Sequence, residues 1–97
     1  MTYLSFDPAK SARNVALRGL PFEAANDFDW SSAQIAEDHR RHYGERRFQA
    51  LGFIEGKLHM LVFTPRDGML RIISLRKANS REIKRYAQKA AQFRTDR

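Results

Sequence analysis

Between residues 46 and 77 the apolar positions come in runs of strand length, broken by tight turn pairs. RRFQALGFI, KLHMLVFTP and LRIISLRK are separated by Glu55-Gly56 and by a stretch containing Asp67-Gly68. X-Gly pairs of this kind favour two-residue hairpin turns, so three antiparallel strands are predicted. Their wealth of Phe, Ile, Leu and Val predicts a sheet covered over most of both faces. On either side the spacing turns helical. In FDPAKSARNVALRG, Asp7 is a capping residue, Pro8 suits the first helical position and Gly19 suits the residue after the end. Ala12, Val15 and Ala16 form its narrow apolar stripe, predicted to pack inward. LPFEAANDFDW reads as a second short helix opening near Pro21, with Phe22, Ala25 and Phe28 on one face. Residues 32–37 are a candidate fourth strand, and residues 38–45 a polar loop containing Gly44. Asn79, with Glu82 three residues on, opens a long helix whose stripe is Ile83, Tyr86, Ala87, Ala90 and Phe93. The expectation is a single α+β domain over residues 1–97. It has two N-terminal helices, an antiparallel sheet of three to four strands and a C-terminal helix.

Two-residue turns fix which side chains share a face. With Glu55-Gly56 as one turn, cross-strand partners have numbers summing to about 111; with Asp67-Gly68 as the other, to about 135. One face then carries Arg47, Gln49, Leu51, Met60, Val62, Thr64, Arg71, Ile73 and Leu75. The other carries Phe48, Ala50, Gly52, His59, Leu61, Phe63, Ile72, Ser74 and Arg76, so His59 is expected opposite Arg76. A bulge in either hairpin overturns this register.

Charge sharpens the picture. The net charge of the 97 residues is +7, and residues 76–97 hold eight Lys/Arg against two acids, whereas residues 1–75 hold ten against nine. An excess gathered at one end points to a polyanionic partner, nucleic acid or an acidic protein. There is no cysteine, which excludes disulfides, thiolate metal ligands and thiol nucleophiles. No apolar run reaches the roughly 18 residues a membrane span needs, and the opening MTYLSFDPAK lacks the pattern of a signal peptide. A soluble protein of the cytoplasm is the expectation.

Arg76 ends an otherwise apolar strand and runs into Lys77, Arg81, Lys84 and Arg85. Guanidinium forks match phosphate oxygens, and lysines supply mobile point charges. Arg81, Arg85 and Gln88 fit a solvated helix face equally well. DHRRHYGERR, residues 38–47, sets two His, four Arg, two acids and a Tyr side by side. It holds the parts of an acid–base site, and equally of a loop closed by its own ion pairs. His39 and His42, three apart, lack the further ligand spacing of a metal site. Tyr86 and Trp30 read as core or interface residues, and His59 as a structural histidine.

FDPAKSARNVALRG, FEAA, YGERR, GFIEGKLHMLVFTPRDG and RIISLRKANSREIKRY resemble, in order and spacing, the BrnT family of type II toxins over roughly residues 6 to 86. The resemblance implies a RelE-like ribonuclease fold, RNA cleavage without a metal or other cofactor, and inhibition of translation. It also implies a BrnA-type antitoxin whose ribbon-helix-helix domain binds promoter DNA, in a two-toxin, two-antitoxin complex. Family members often carry Lys-His-Gly where this chain has Leu17-Arg18-Gly19, and an aliphatic residue at His59. For such chemistry Arg76 and Lys77 are the first choices to stabilise charge, and Glu45, His39, His42, Tyr86 and Glu82 are candidates to move protons. Arg46, Arg47, Arg66, Arg71, Arg81 and Arg85 are candidate RNA contacts. The competing reading is a non-catalytic module that binds RNA or an acidic protein through the same basic face.

Overall fold

The structure, a computed structural model, describes residues 3–95 and, of residues 93–95, the backbone alone. Its centre is the predicted meander. β3 (Phe48–Ile54), β4 (Lys57–Arg66) and β5 (Met69–Lys77) pair antiparallel through the two expected turns. Glu55, Gly56, Asp67 and Gly68 all have positive φ, between 50° and 77°. Two consecutive left-handed residues give the turn whose twist matches flanking strands, which is why Gly stands second in each pair.

Three expectations about the architecture are corrected. The sheet has five strands in the order β1-β5-β4-β3-β2, with β2 (Gln34–Glu37) antiparallel to β3 and β1 (Leu4–Ser5) parallel to β5. It is therefore a mixed sheet, not an antiparallel one of three to four strands. β1 is too short to show a periodic pattern, and its pairing is made with a strand about 65 residues away, beyond what local pattern reveals. The N-terminal region has one α-helix, α1 (Pro8–Arg18); the second predicted helix is a 3-10 helix over Phe22–Asp27, followed by another over Trp30–Ser32. Phe22, Ala25 and Phe28 are nonetheless buried as the spacing required.

α1 packs the opposite way from its expected stripe. Ala12, Val15 and Ala16 are exposed, while Ser11 and Asn14 are buried. Ser11 Oγ accepts from Phe22 N at 2.9 Å and donates to Glu23 Oε1 at 3.0 Å. Asn14 Nδ2 donates to Leu20 O at 2.7 Å and to Leu75 O at 2.9 Å. The helix thus caps the polar backbone of the turn after Gly19 and of β5, which an apolar side chain leaves unsatisfied.

The two sheet faces differ. One packs Ala50, Leu61, Phe63, Ile72 and Leu75 against Phe22, Ala25 and Phe28, with Trp30 edge-on to Phe28 and Phe63. Gly52 lies on this face directly under the Phe28 ring, where any Cβ would collide with it. The other face has a smaller buried cluster, Leu51, Met60 and Val62, with Tyr86 of α2 (Ser80–Thr95) packed against it. Ile83 and Ala87 of the predicted α2 stripe are exposed, Tyr86 and Ala90 half-buried, and the Phe93 side chain lies outside the described residues. Leu51, Met60, Val62 and Thr64 on this face are buried as well, so the central strands are covered on both faces as expected, and exposure lies toward β2 and the rim of α2, at Ala36, Arg85 and Lys89. No helix among the described residues is long and apolar enough to cross a membrane.

The α1 inversion predicts opposite outcomes at neighbouring positions. Asn14→Ala leaves two carbonyls without a donor and lowers stability by about 1–3 kcal/mol. Val15→Lys changes it by less than about 0.5 kcal/mol. Urea unfolding of both variants measures the contrast.

Candidate functional site

The expected pairing of Arg76 with His59 does not form. β4 and β5 hold the predicted register from Arg66↔Met69 to Phe63↔Ile72, and then a β-bulge between Val62 and Phe63 admits an extra residue. Beyond it Val62 faces Ser74, Leu61 faces Leu75, Met60 faces Arg76 and His59 faces Lys77. One inserted residue exchanges the faces of everything that follows. Leu75 moves into the main core, and Arg76 moves to the face beside α2.

There Arg76 meets the start of the helix. Its Nη1 and Nη2 donate to Glu82 Oε1 and Oε2, each at 2.8 Å. Glu82 also accepts from Asn79 N at 3.0 Å, while Asn79 Oδ1 accepts from Glu82 N at 2.8 Å, completing the capping box read from the sequence. The Arg76 fork, the Asn79 N–H and the Arg76 charge hold the Glu82 carboxyl at about 2. Glu82 is therefore an ionised structural acceptor at neutral pH, ill suited to delivering a proton. Arg76 is raised in turn by the same pair, against the opposing effects of burial and then of the Arg40 charge.

Lys77, next in sequence, lies across the sheet with Arg18, Gly19 and Leu20 around a separate cavity of about 350 Å³. Strand alternation separates the two residues expected to act together. Tyr86 donates its hydroxyl to Ser32 O at 2.7 Å, and its ring packs edge-on to Phe53. Gln34 Nε2 donates to Tyr86 O at 3.0 Å. These contacts fasten α2 over the sheet and commit the Tyr86 hydroxyl to a backbone partner.

Between α2 and β2 the α2 face forms a groove of about 280 Å³. Its walls and floor are Gln34, Ala36, Gln49, Leu51 and Met60, with Arg85 and Lys89 on its helical rim. Arg81, also on α2, is exposed.

The polar loop of residues 38–47 borders the same face, and its own ion pairs close it. Asp38, with 1% of its side chain exposed, takes Arg40 Nε and Nη2 at 2.8 Å each, Arg40 N at 3.1 Å and Tyr43 Oη at 3.0 Å. Arg40, followed by Tyr43, holds the Asp38 carboxyl far below the usual range. Neither Asp38 nor Arg40 stood among the expected site residues. An Asp two residues before an Arg, at the end of a short strand, was the available signal. Glu45 accepts from Arg47 and Arg66 and is lowered by them. Arg46 pairs with Glu37, and Arg47 stacks over Tyr43 at 4.1 Å. Arg71 is half-buried opposite Thr64. His39 stands with 80% of its side chain exposed, 3.9 Å from Glu37, and His42 is exposed on the same loop. The expected residues thus fall into two groups, one at the strand–helix corner and one on the loop, with Lys77 apart.

The site ties one acid strength to one structural contact. Glu82 is depressed from 4.5 to about 2, so its pair stabilises the fold fully above about 4.5, and that stability is lost as pH falls through about 2. Glu82→Gln is expected to lose about 1–3 kcal/mol at pH 7. It also flattens the fall in stability across that acid window, as read by thermal melts at stepped pH.

The family model described as "Ribonuclease toxin, BrnT, of type II toxin-antitoxin system" matches residues 6–82. No curated protein matches the chain.

Proposed function

The chain belongs to the BrnT family of ribonuclease toxins of type II toxin–antitoxin systems, and on that premise we propose that it cleaves RNA on the α2 face of the sheet, without a metal. The observation that carries this reading is the bulge that delivers Arg76 to the face where Arg85 and Lys89 rim the groove. Arg40, close enough to act on Arg76 electrostatically, adds a fourth cation. Such a face attracts a polyanionic strand and offsets the charge that builds up when phosphorus gains a fifth oxygen.

In the proposed reaction the ribose 2′-OH attacks the neighbouring phosphorus. A 2′-O–P bond forms, the P–O5′ bond breaks, and the products are a 2′,3′-cyclic phosphate and a 5′-hydroxyl. One proton leaves the 2′-oxygen and one reaches the 5′-oxygen, so no metal or other cofactor is consumed. Asp38, Glu45 and Glu82 are all engaged by arginines, and Tyr86 by a carbonyl. His39 is the group left to carry protons, with His42 beside it on the loop. Arg85 and Lys89 on the rim bind and neutralise the phosphates, while Arg76, through its fork on Glu82, and Tyr86 hold α2 in place beside them. Arg46, Arg47, Arg66, Arg71 and Arg81 extend the positive surface that the strand follows; Lys77 acts on the other face.

Family membership implies a protein antitoxin. In this proposal the antitoxin is BrnA-type, binds promoter DNA through a ribbon-helix-helix domain and joins a two-plus-two complex. The toxin acts in the cytoplasm, as one domain over residues 1–97, by stopping translation. The engagement of every carboxylate named above also favours a second reading, a basic module that binds RNA without cutting it.

Incubation of the purified protein with RNA separates the two. Cleavage is expected to leave cyclic phosphates, to persist in EDTA and to fall by about 10²–10⁴-fold in His39→Ala. Sensitivity to EDTA removes the metal-free mechanism, and salt-sensitive binding to RNA that stays intact leaves the module.

A further inference from the structure

Two amides in the groove are oriented by bonds made outside it. Gln34 and Gln49 lie on the same face of paired strands, since Gln34 faces Leu51 and Ala36 faces Gln49. They are diagonal neighbours, within reach of one flat ligand. Gln34 commits its amino group to Tyr86 O at 3.0 Å, so its oxygen is what remains for the groove. Gln49 is set the other way round. Its surroundings place the amide oxygen toward Arg40, accepting from Nη2 at 3.2 Å and Nε at 3.3 Å. Arg40 is itself locked by its fork on buried Asp38. With the Gln49 oxygen turned to Arg40, whose second Nη2 hydrogen it accepts, Gln49 offers the groove its amino group. Beneath the amides lie the apolar side chains of Leu51 and Met60, and Arg85 and Lys89 stand at the rim.

We propose that this groove is a nucleobase subsite for the RNA substrate, and that it selects keto bases, guanine or uracil, over adenine and cytosine. The apolar floor receives the flat ring, and the rim cations take the adjoining phosphates. Guanine and uracil present a carbonyl beside a ring N–H. The carbonyl accepts from the Gln49 amino group, and the N–H donates to the Gln34 oxygen. Adenine and cytosine in the same pose present the reverse, an amine against an amine and a ring lone pair against a carbonyl. A buried mismatch of that kind is rejected more strongly than a merely missing contact. Asp38 and Arg40 are positioning residues in this scheme, since they act on the base through Gln49. The inference rests on the ribonuclease reading and adds its base specificity.

The test maps cleavage sites in a randomised RNA and, in parallel, measures binding of four uncleavable 2′-O-methyl oligonucleotides that differ at one central base. Wild type is expected to prefer guanine or uracil at one position near the cut by about tenfold. Gln49→Glu keeps one oxygen on Arg40 and turns the other into the groove, where it repels the keto carbonyl and accepts from the amine of adenine or cytosine, so the keto preference is lost. Gln49→Leu, which retains the apolar volume, narrows the spread between bases to about twofold or less. The same keto preference in wild type and both variants, or no base preference in wild type, overturns the proposal. Binding with a keto preference but no cleavage leaves the subsite standing and removes the ribonuclease reading. Loss of both binding and cleavage in wild type removes both.

Discussion

The fork of Arg76 on Glu82 joins the two parts of the molecule that make the site. Arg76 belongs to the sheet and Glu82 to the first turn of α2, and their two 2.8 Å bonds set where the helix begins over the sheet. A bidentate Arg–carboxylate pair is directional as well as strong, so it orients the helix where an apolar contact would let it slide. Glu82 simultaneously closes the capping box with Asn79. A single carboxylate therefore satisfies a helix N-terminus and anchors that helix to a strand. The pair depends on the bulge between Val62 and Phe63, because without the extra residue Arg76 faces the N-terminal core.

Polar side chains play the same organising part elsewhere. Ser11 and Asn14 hold α1 by bonding the backbone of the next segment and of β5. Asp38 gathers Arg40 and Tyr43 and gives an otherwise irregular loop one shape. The larger hydrophobic cluster lies on one face of the sheet, filled by Phe22, Phe28, Phe63 and Leu75. The other face carries the smaller buried cluster of Leu51, Met60 and Val62, a helix fastened through Glu82 and Tyr86, and a basic rim.

This division also explains the electrostatics. The acids near the α2 face are held ionised by arginines, so their charges are structural and offset part of the basic excess. What remains outward is a set of cations on α2 and on the 38–47 loop, together with the two loop histidines. Asp38, Glu45 and Glu82 are each bonded by arginines of their own. That arrangement suits phosphate binding better than the bare net charge suggests.

Much of this was legible in the sequence. The Glu55-Gly56 and Asp67-Gly68 turns, the three meander strands, the Asn79–Glu82 cap and the burial of Phe22, Ala25 and Phe28 follow from short-range rules, and the structure contains each of them. The family was legible too, because its motifs run through most of the chain. The tertiary structure decided the rest. β1 pairs in parallel with β5, a choice that no period within two residues records. α1 turned its apolar stripe outward, because unsatisfied carbonyls after Gly19 and in β5 needed donors more than the helix needed to bury alanines. The bulge put Arg76 with Met60 and left Lys77 with His59. Local pattern determines which elements form and which turns join them. Which face a side chain reaches depends on one inserted residue and on distant backbone groups, and only the folded chain brings those together.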